Sequence, residues 1–440
     1  MRSSTVFFFS SLLLAGCSSA PPTQIGTGGA PPATGGGPTA AGGSGAGGGQ
    51  AISTGGTASG GASGGSPASG GTSTGGVPAA VTAADADEAY EAWKTVHLED
   101  CGSGVSRVRW ENAKQDATVS EGIGYGMLLT VAHGDQAAFD GLFAYSKLMH
   151  DDNGLMHWLR YGCDAHGDTI YSANPDYAAS DADLDVAMSL LMADCKWPGG
   201  NYGGEATTVI KAIKDHMFMD HNGQQVLQPG DSSWFDQLGA GCVNYSYFAP
   251  AYYREFGKHV TEDQEFWNQA ADNSYDLLAV ASNESTGLVR NWGSADGGEA
   301  TADCRNAYNR ANSYGDDAAR TPWRIATDWQ WNATADAKAW NDKVTTWVKS
   351  VGITNIVQWY NLDGTPDMEA NTWDDHTAIN IGPFAVGALT MDQATADEFV
   401  TELLAIPSSD GSHDAEYFPR MLKALTLLNL TDQFTACGGN

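Results

Sequence analysis

Three short segments place carboxylates at the mouths of apolar helices. In ATVSEGIGYGMLLTVAHGD, residues 117–135, Ile123, Met127, Leu128 and Val131 recur at helical spacing behind Glu121, while Gly122, Gly124 and Gly126 thin the first turns. YAASDADLDVAMSLLMADCKW sets Asp181, Asp183 and Asp185 at a second helix start, with Ser180 as its cap. NSYGDDAARTPWRIATDW sets Asp316 and Asp317 at a third. Each has an ordinary structural explanation. Thr118-x-x-Glu121 and Ser313-x-x-Asp316 are capping boxes by pattern, and acids in a first turn favour the helix dipole. Together they carry more. If the three helices run parallel inside a toroid, their N-termini converge on one rim, and converged carboxylates repel until the most buried one keeps its proton. That yields one carboxylic acid and one carboxylate base, the pair that hydrolytic enzymes use. The dipole opposes protonation of Glu121, so desolvation or a neighbouring carboxylate, for which Asp181 is the candidate, has to outweigh it.

Other chemistries fit less well. Asp181-x-Asp183-x-Asp185 opens like a calcium loop, but Val186 and Met192 stand where its Gly and Glu belong. Gly122-x-Gly124-x-Gly126 follows no convincing strand, as a dinucleotide loop would. His216 and His221 lack the spacing of a catalytic zinc helix, and no C-x-x-C occurs, so neither a metal nor a cofactor is expected. The sequence Gly71-Thr-Ser73-Thr-Gly75 has no strand before it and no helix after it, and so is no nucleophile elbow.

Around these residues the 440-residue chain divides unevenly. Residues 1–17 read as a secretory leader: Arg2, an apolar run from Val6 to Leu14, then Leu14-Ala15-Gly16-Cys17, which resembles a bacterial lipobox with Cys17 as the lipidated residue. Ser18 at the next position resembles outer-membrane or surface sorting. Residues 18–84 are mostly Gly, Ala, Ser, Thr and Pro with no charged residue, a flexible tether unable to bury a core. Essentially all of the −31 net charge therefore sits from Asp85 onward, which disfavours nucleic acid and anionic membranes and suits a neutral or cationic substrate. The expected contact with a membrane is the lipid anchor alone, the expected location the cell surface or the medium, and the expected state a monomer. Six cysteines remain after Cys17, an even set that in an exported chain implies at least two disulfides.

The elements that must position the acids are helices. Apolar periodicity predicts twelve of them, from 85–98 through 120–133, 137–149, 181–193, 206–218, 247–256, 263–281, 317–331, 334–351, 377–389 and 396–404 to 417–428, with few strands. The class is all-α, a bundle or a toroid of helical hairpins, and no second linker divides residues 85–440. Aromatic-rich loops lie between the helices. Of the fourteen tryptophans, Trp93, Trp267, Trp340 and Trp347 fall on helices and are expected in the core. Those beside Gly, Asp and Asn suit the apolar faces and hydroxyl edges of sugars.

At this point the residues resemble glycoside hydrolase family 8, the inverting bacterial endoglucanases once called cellulase family D. SEGIGYGML is similar to the segment carrying that family's general acid, which maps to Glu121. ASDADLDVAMSLLMADCKW is similar to its signature, with Val186 where Ile or Met is usual, and the signature's first acid, Asp181, implies a grip on the −1 sugar with Asp183 close by. DAARTPWRIATDW resembles the segment of the general base, which maps to Asp317, with Arg320 alongside. GLMHW, PGDSSWF, YFAPAYYREF and GLVRNW resemble family segments that imply Trp158 and Trp234 as sugar-stacking platforms and Tyr247 as a cleft residue. The resemblance runs from about Asp85 to Leu430 and implies an (α/α)6 barrel. One position departs: Asp316 stands where the family has a Tyr that helps hold the attacking water, and Tyr314 is the candidate to replace it.

The expected function is thus endo-cleavage of β-1,4-glucan with inversion, with polysaccharide as the only substrate class. Xylan and chitosan are the alternatives within the family, and a glycan-binding surface lipoprotein without turnover is the alternative outside catalysis.

Overall fold

The computed structural model describes residues 77–436 apart from 111–115, 168–175, 232, 309, 372–375 and 408–416. The leader, Cys17, the tether up to residue 76 and Cys437 lie outside the described residues. Fourteen helices are described: α1 (Ala83–His97), α2 (Ser120–His133), α3 (Gln136–Leu148), α4 (Ser180–Lys196), α5 (Tyr202–His216), α6 (Ser233–Leu238), α7 (Pro250–His259), α8 (Gln264–Ala281), α9 (Ala302–Ala307), α10 (Thr321–Asn332), α11 (Ala335–Val351), α12 (Ala378–Ala388), α13 (Gln393–Ala405) and α14 (Tyr417–Leu430). Every helix expected from periodicity is present. None is long and apolar enough to cross a membrane.

The ring can be read from which helices are buried on all sides. In α2, α4 and α12 nearly every residue is inaccessible, as expected of helices walled in by others. In α8 and α11 only one stripe is buried, for example Trp267, Ala270, Ala271, Ser274 and Leu278. The inner helices α2, α4, α7, α10, α12 and α14 each pack on the next, and α14 returns to α2. Outside them, α3 lies on α2, α5 on α4, α8 on α7, α11 on α10 and α12, α13 on α12, and α1 on α14. Six inner and six outer helices make an (α/α)6 barrel. Trp93, Trp267, Trp340 and Trp347 are buried in it.

Glycine in α2 has a packing reason. A Cβ on Gly124 would lie 2.8 Å from the Asp185 Cβ and 2.9 Å from the Ala182 carbonyl oxygen, so α2 and α4 approach backbone to backbone.

One expectation is corrected here. The folded part begins before Asp85: Val81 is buried, Ala80 N–H donates to Asp397, and Thr82 donates to Asp85 from both its backbone and its hydroxyl, closing the start of α1. Composition hides this, because Val77-Pro-Ala-Ala-Val-Thr reads like the tether. The few strands among the described residues form three small antiparallel pairs, the hairpins β1 (Leu98–Gly102) with β2 (Val105–Val108) and β5 (Phe218–His221) with β6 (Gln224–Leu227), and β3 (Ala117–Val119) with the distant β4 (Leu159–Tyr161). Strands of three to five residues are too short to show an alternation. Strand β3 leads the chain directly into α2.

Disulfides join Cys101 to Cys163 and Cys242 to Cys304, and Cys195 is disulfide-bonded as well.

Candidate active site

The N-termini of α2, α4 and α10 meet at a single guanidinium. Arg320 lies in a 3₁₀ turn, Ala318–Arg320, that leads into α10, and its side chain is 3 % exposed. Its Nη1 donates to Glu121 Oε2 at 2.5 Å and to Asp181 Oδ2 at 3.1 Å, and its Nη2 donates to Asp317 Oδ1 at 2.5 Å. Its Nε donates to the Ser246 hydroxyl at 3.2 Å and to the Asp317 carbonyl oxygen. The Tyr247 ring packs against its face at 5.0 Å. Guanidinium supplies the flat fork of donors that this convergence needs; an ammonium would not.

One cation faces three carboxylates, so full ionisation would leave two uncompensated negative charges in a poorly solvated place. Burial pushes Glu121 up to about 7; Asp181 and Asp317 push it the same way, while Arg320 and the Tyr417 hydrogen bond pull it back. Burial likewise raises Asp181 to about 6, against the pull of Arg320. Desolvation is thus the larger of the two effects proposed to overcome the helix dipole at Glu121, and Asp181 is the lesser.

Asp317 is placed differently. A third of its side chain is exposed, and each oxygen accepts from a separate donor, Oδ1 from Arg320 and Oδ2 from Trp292 Nε1 at 3.0 Å. Glu121 also accepts at both oxygens, so what separates the two groups is the greater solvent exposure of Asp317. The geometry therefore puts one carboxyl group primed to hold a proton and one able to take one on separate nitrogens of the same guanidinium.

The capping boxes do not form. Thr118 lies in β3, Val119 is the residue before α2, and the Glu121 carboxylate is taken by Arg320 and, at 2.8 Å, by the Tyr417 hydroxyl from the start of α14. Ser180 does not cap α4 either; its hydroxyl donates to the Gln228 carbonyl. Asp316 turns to the side-chain amide of Gln358. Tyr314, the candidate to replace the missing tyrosine, is fully buried with its ring stacked on Phe384, which leaves it no surface toward solvent.

The remaining sequence candidates divide. Tyr247 lies among the three carboxylates, and burial keeps its phenol protonated far above its ordinary range. Asp183 does not join the Arg320 cluster: its buried carboxylate accepts from the Met156 N–H at 3.1 Å and so fixes the loop that leads to Trp158. The alternation Asp-x-Asp-x-Asp could not show this, because α4 turns Asp183 away from Asp181 and Asp185. Trp158 is 9 % exposed and packs beside Tyr177, so it offers a sugar only a narrow edge. The Trp158 carbonyl also accepts from the Ser120 N–H at 2.9 Å, holding the start of α2. The Trp234 side chain lies outside the described residues.

Two contributors were not visible from sequence. Tyr417 is 296 positions from Glu121, and Trp292 is 25 positions before Asp317 on another segment. The GLVRNW resemblance touched Trp292 without giving it a role, and nothing local marked Tyr417.

A closed ring of inner helices that gathers an acid, a base and a buried guanidinium at their N-termini defines a barrel hydrolase working with two carboxyl groups. Residues 75–432 match the model of Glycosyl hydrolases family 8, and the chain belongs to that family. It is a glycoside hydrolase. It is 36 % identical over 352 residues to Endoglucanase A of Acetivibrio thermocellus, covering 78 % of this chain and 68 % of that protein. It is 37 % identical over 350 residues to Endoglucanase 2 of Ruminiclostridium josui, covering 78 % and 70 %. Among solved structures it is similar to the apo β-1,3-1,4-glucanase from Paenibacillus sp. X4, with a TM-score of 0.69 and 27 % identity over 82 % of this chain and 96 % of that one.

Proposed function

We propose that the protein is an endo-acting β-1,4-glucanase that inverts the anomeric centre. Glu121 protonates the glycosidic oxygen as the bond breaks, and Asp317 deprotonates a water on the opposite face of the sugar. Asp181 grips the −1 sugar through its Oδ1, a buried oxygen without a partner in the free protein. The observation that carries this reading is the shared guanidinium: Arg320 holds both carboxyl groups, so they sit on either side of it rather than against each other. When Glu121 gives up its proton, the new negative charge forms 2.5 Å from Arg320 Nη1, which is where a cation is most useful. The names of the relatives above favour glucan.

The rest of the proposal concerns placement. A lipidated Cys17 would anchor the chain at the cell surface and the uncharged tether would give the barrel reach as a monomer.

One set of assays tests the activity: release of reducing ends from carboxymethylcellulose, mixed-linkage glucan, xylan and chitosan, side by side, with the product anomer followed by NMR. Release from glucan of ends that first appear as the α-anomer is expected. First appearance of the β-anomer would sink inversion, faster xylan or chitosan cleavage would move the substrate, and binding without release would leave a glycan-binding protein.

A further inference from the structure

Asp317 sits at a turn with a third of its side chain in solvent, so its own rotamer preference cannot aim it. Arg320 is an imperfect guide, since it also serves Glu121 and Asp181 and feels any change in their charge. Trp292 is a different kind of donor. Its Nε1–H is neutral, does not titrate and goes to Asp317 Oδ2 at 3.0 Å.

The segment that carries Trp292 is fastened along its length. The Asn291 N–H donates to the Ser313 carbonyl and the Trp292 N–H to the Ala311 carbonyl. The Asn291 side chain accepts from the Ala318 N–H, directly after Asp317. Gly293 exchanges two backbone hydrogen bonds with Val243, and a Cβ there would lie 2.2 Å from the Tyr245 hydroxyl oxygen. The indole itself is covered by Tyr308, stacked at 3.6 Å between centroids and 8° between planes. Tyr308 follows α9, its N–H bonded to the Cys304 carbonyl at 2.8 Å. Cys304 is disulfide-bonded to Cys242, the residue before Val243. Phe235, Cys242, Trp292, Ala300, Cys304 and Ala311 form a small apolar cluster of their own, apart from the main core. The disulfide thus ties the strip beneath the indole to the short helix whose ring lies over it. A six-residue helix on a small core has little stability of its own, so the cross-link matters there more than it would in the barrel.

We propose that Trp292 is the positioning residue for the base, that its indole N–H fixes the direction in which Asp317 faces, and that the Cys242–Cys304 disulfide maintains this by holding Tyr308 against the ring. The inference rests on the reading of Asp317 as the base. It assigns a working role in turnover to a disulfide that lies in a small cluster apart from the main core.

Trp292→Phe keeps a ring for Tyr308 to stack on and removes only the donor. The expected result on soluble β-glucan is a fall in kcat of roughly 10-fold or more, because a misdirected base loses near-attack geometry. KM should stay within about two-fold, and the melting temperature should not change. Tyr308→Leu, which keeps the disulfide, and Cys242→Ser/Cys304→Ser should each lower kcat in the same way. Combining either with Trp292→Phe should cost no further kcat, since all act through one N–H. A kcat for Trp292→Phe within two-fold of wild type would overturn the proposal, and so would kcat losses that multiply in the combined variants. Asp317→Asn, assayed alongside, separates the two levels of argument: surviving turnover there strikes the base assignment itself, whereas an inactive Asp317→Asn beside an unimpaired Trp292→Phe strikes only the role of Trp292. Should the cysteine variant not fold, the Tyr308→Leu pair carries the same comparison.

Discussion

Arg324 grips Asp185 with both terminal nitrogens, at 2.5 and 2.7 Å, one helical turn below the place where Arg320 meets Asp181. The two acids are four residues apart on α4, and the two arginines are four apart, Arg320 in the turn that leads into α10 and Arg324 within α10, so the segments face each other through two rungs of opposite charge. The lower rung is sealed from solvent, with Arg324 against the rings of Trp323 and Tyr252. In the proposed mechanism the upper rung serves the chemistry, and the lower one holds α4 against α10 beneath it.

Breaking the lower rung should therefore cost both stability and activity. Arg324→Met leaves Asp185 as a buried, unpaired charge and should destabilise the fold by about 3–5 kcal/mol. Arg324→Met with Asp185→Leu should recover most of that loss in urea unfolding. The double variant should still turn over slowly, because α4 and α10 have lost the pairing that aligns Arg320 with Asp181.

The acid assignment predicts the pH profile. With Glu121 raised to about 7, kcat/KM should fall on the alkaline side with a midpoint near 7. Stability carries the matching sign. A carboxyl group whose folded-state pKa lies above its unfolded value near 4.5 stabilises the fold fully below that value. The contribution disappears as pH rises through about 7. Melting temperatures measured from pH 4 to 8 should show this decline in the wild type and a smaller one in Glu121→Gln.

Glu121→Gln should bind glycan and fold nearly as the wild type does, yet lose turnover by a factor on the order of 10² or more. On aryl glycosides with good leaving groups the loss should shrink, since departure needs little protonation. Asp317→Asn should be inactive on both substrate types, because water still needs its base. Near-normal glucan turnover by Glu121→Gln would return Glu121 to a structural role.

The start of the folded part is also open to test. A chain beginning at Val77 should match the full-length protein in activity on soluble substrate and in stability. One beginning at Asp85 loses the Thr82 bonds to Asp85, about 1 kcal/mol, and the burial of Val81, about 1.5 kcal/mol. Thermal melts of the two should differ accordingly.

What could be read in advance was what repeats or clusters locally. Helices such as Ser120–His133 announce themselves through apolar periodicity, and the three acidic starts through their position before such runs. The direction of a side chain across the barrel could not be read. Asp181, Asp183 and Asp185 look alike in sequence, yet one meets Arg320, one a backbone N–H and one Arg324, because successive helical positions diverge by 100°. The capping-box pattern at Thr118–Glu121 misled for a related reason: a three-residue strand, invisible at that length, takes Thr118 away. Trp292 and Tyr417 reach the site only through the fold.

Tyr417, on the last helix, completes the hydrogen bonding of Glu121, on the second. The chain therefore has no finished acid until its final helix closes the ring between α12 and α2. During synthesis the nascent polypeptide stays chemically silent, with its carboxylates unassembled. Activity begins only once the C-terminal end has arrived, so the order in which the chain is made also times when it can first act.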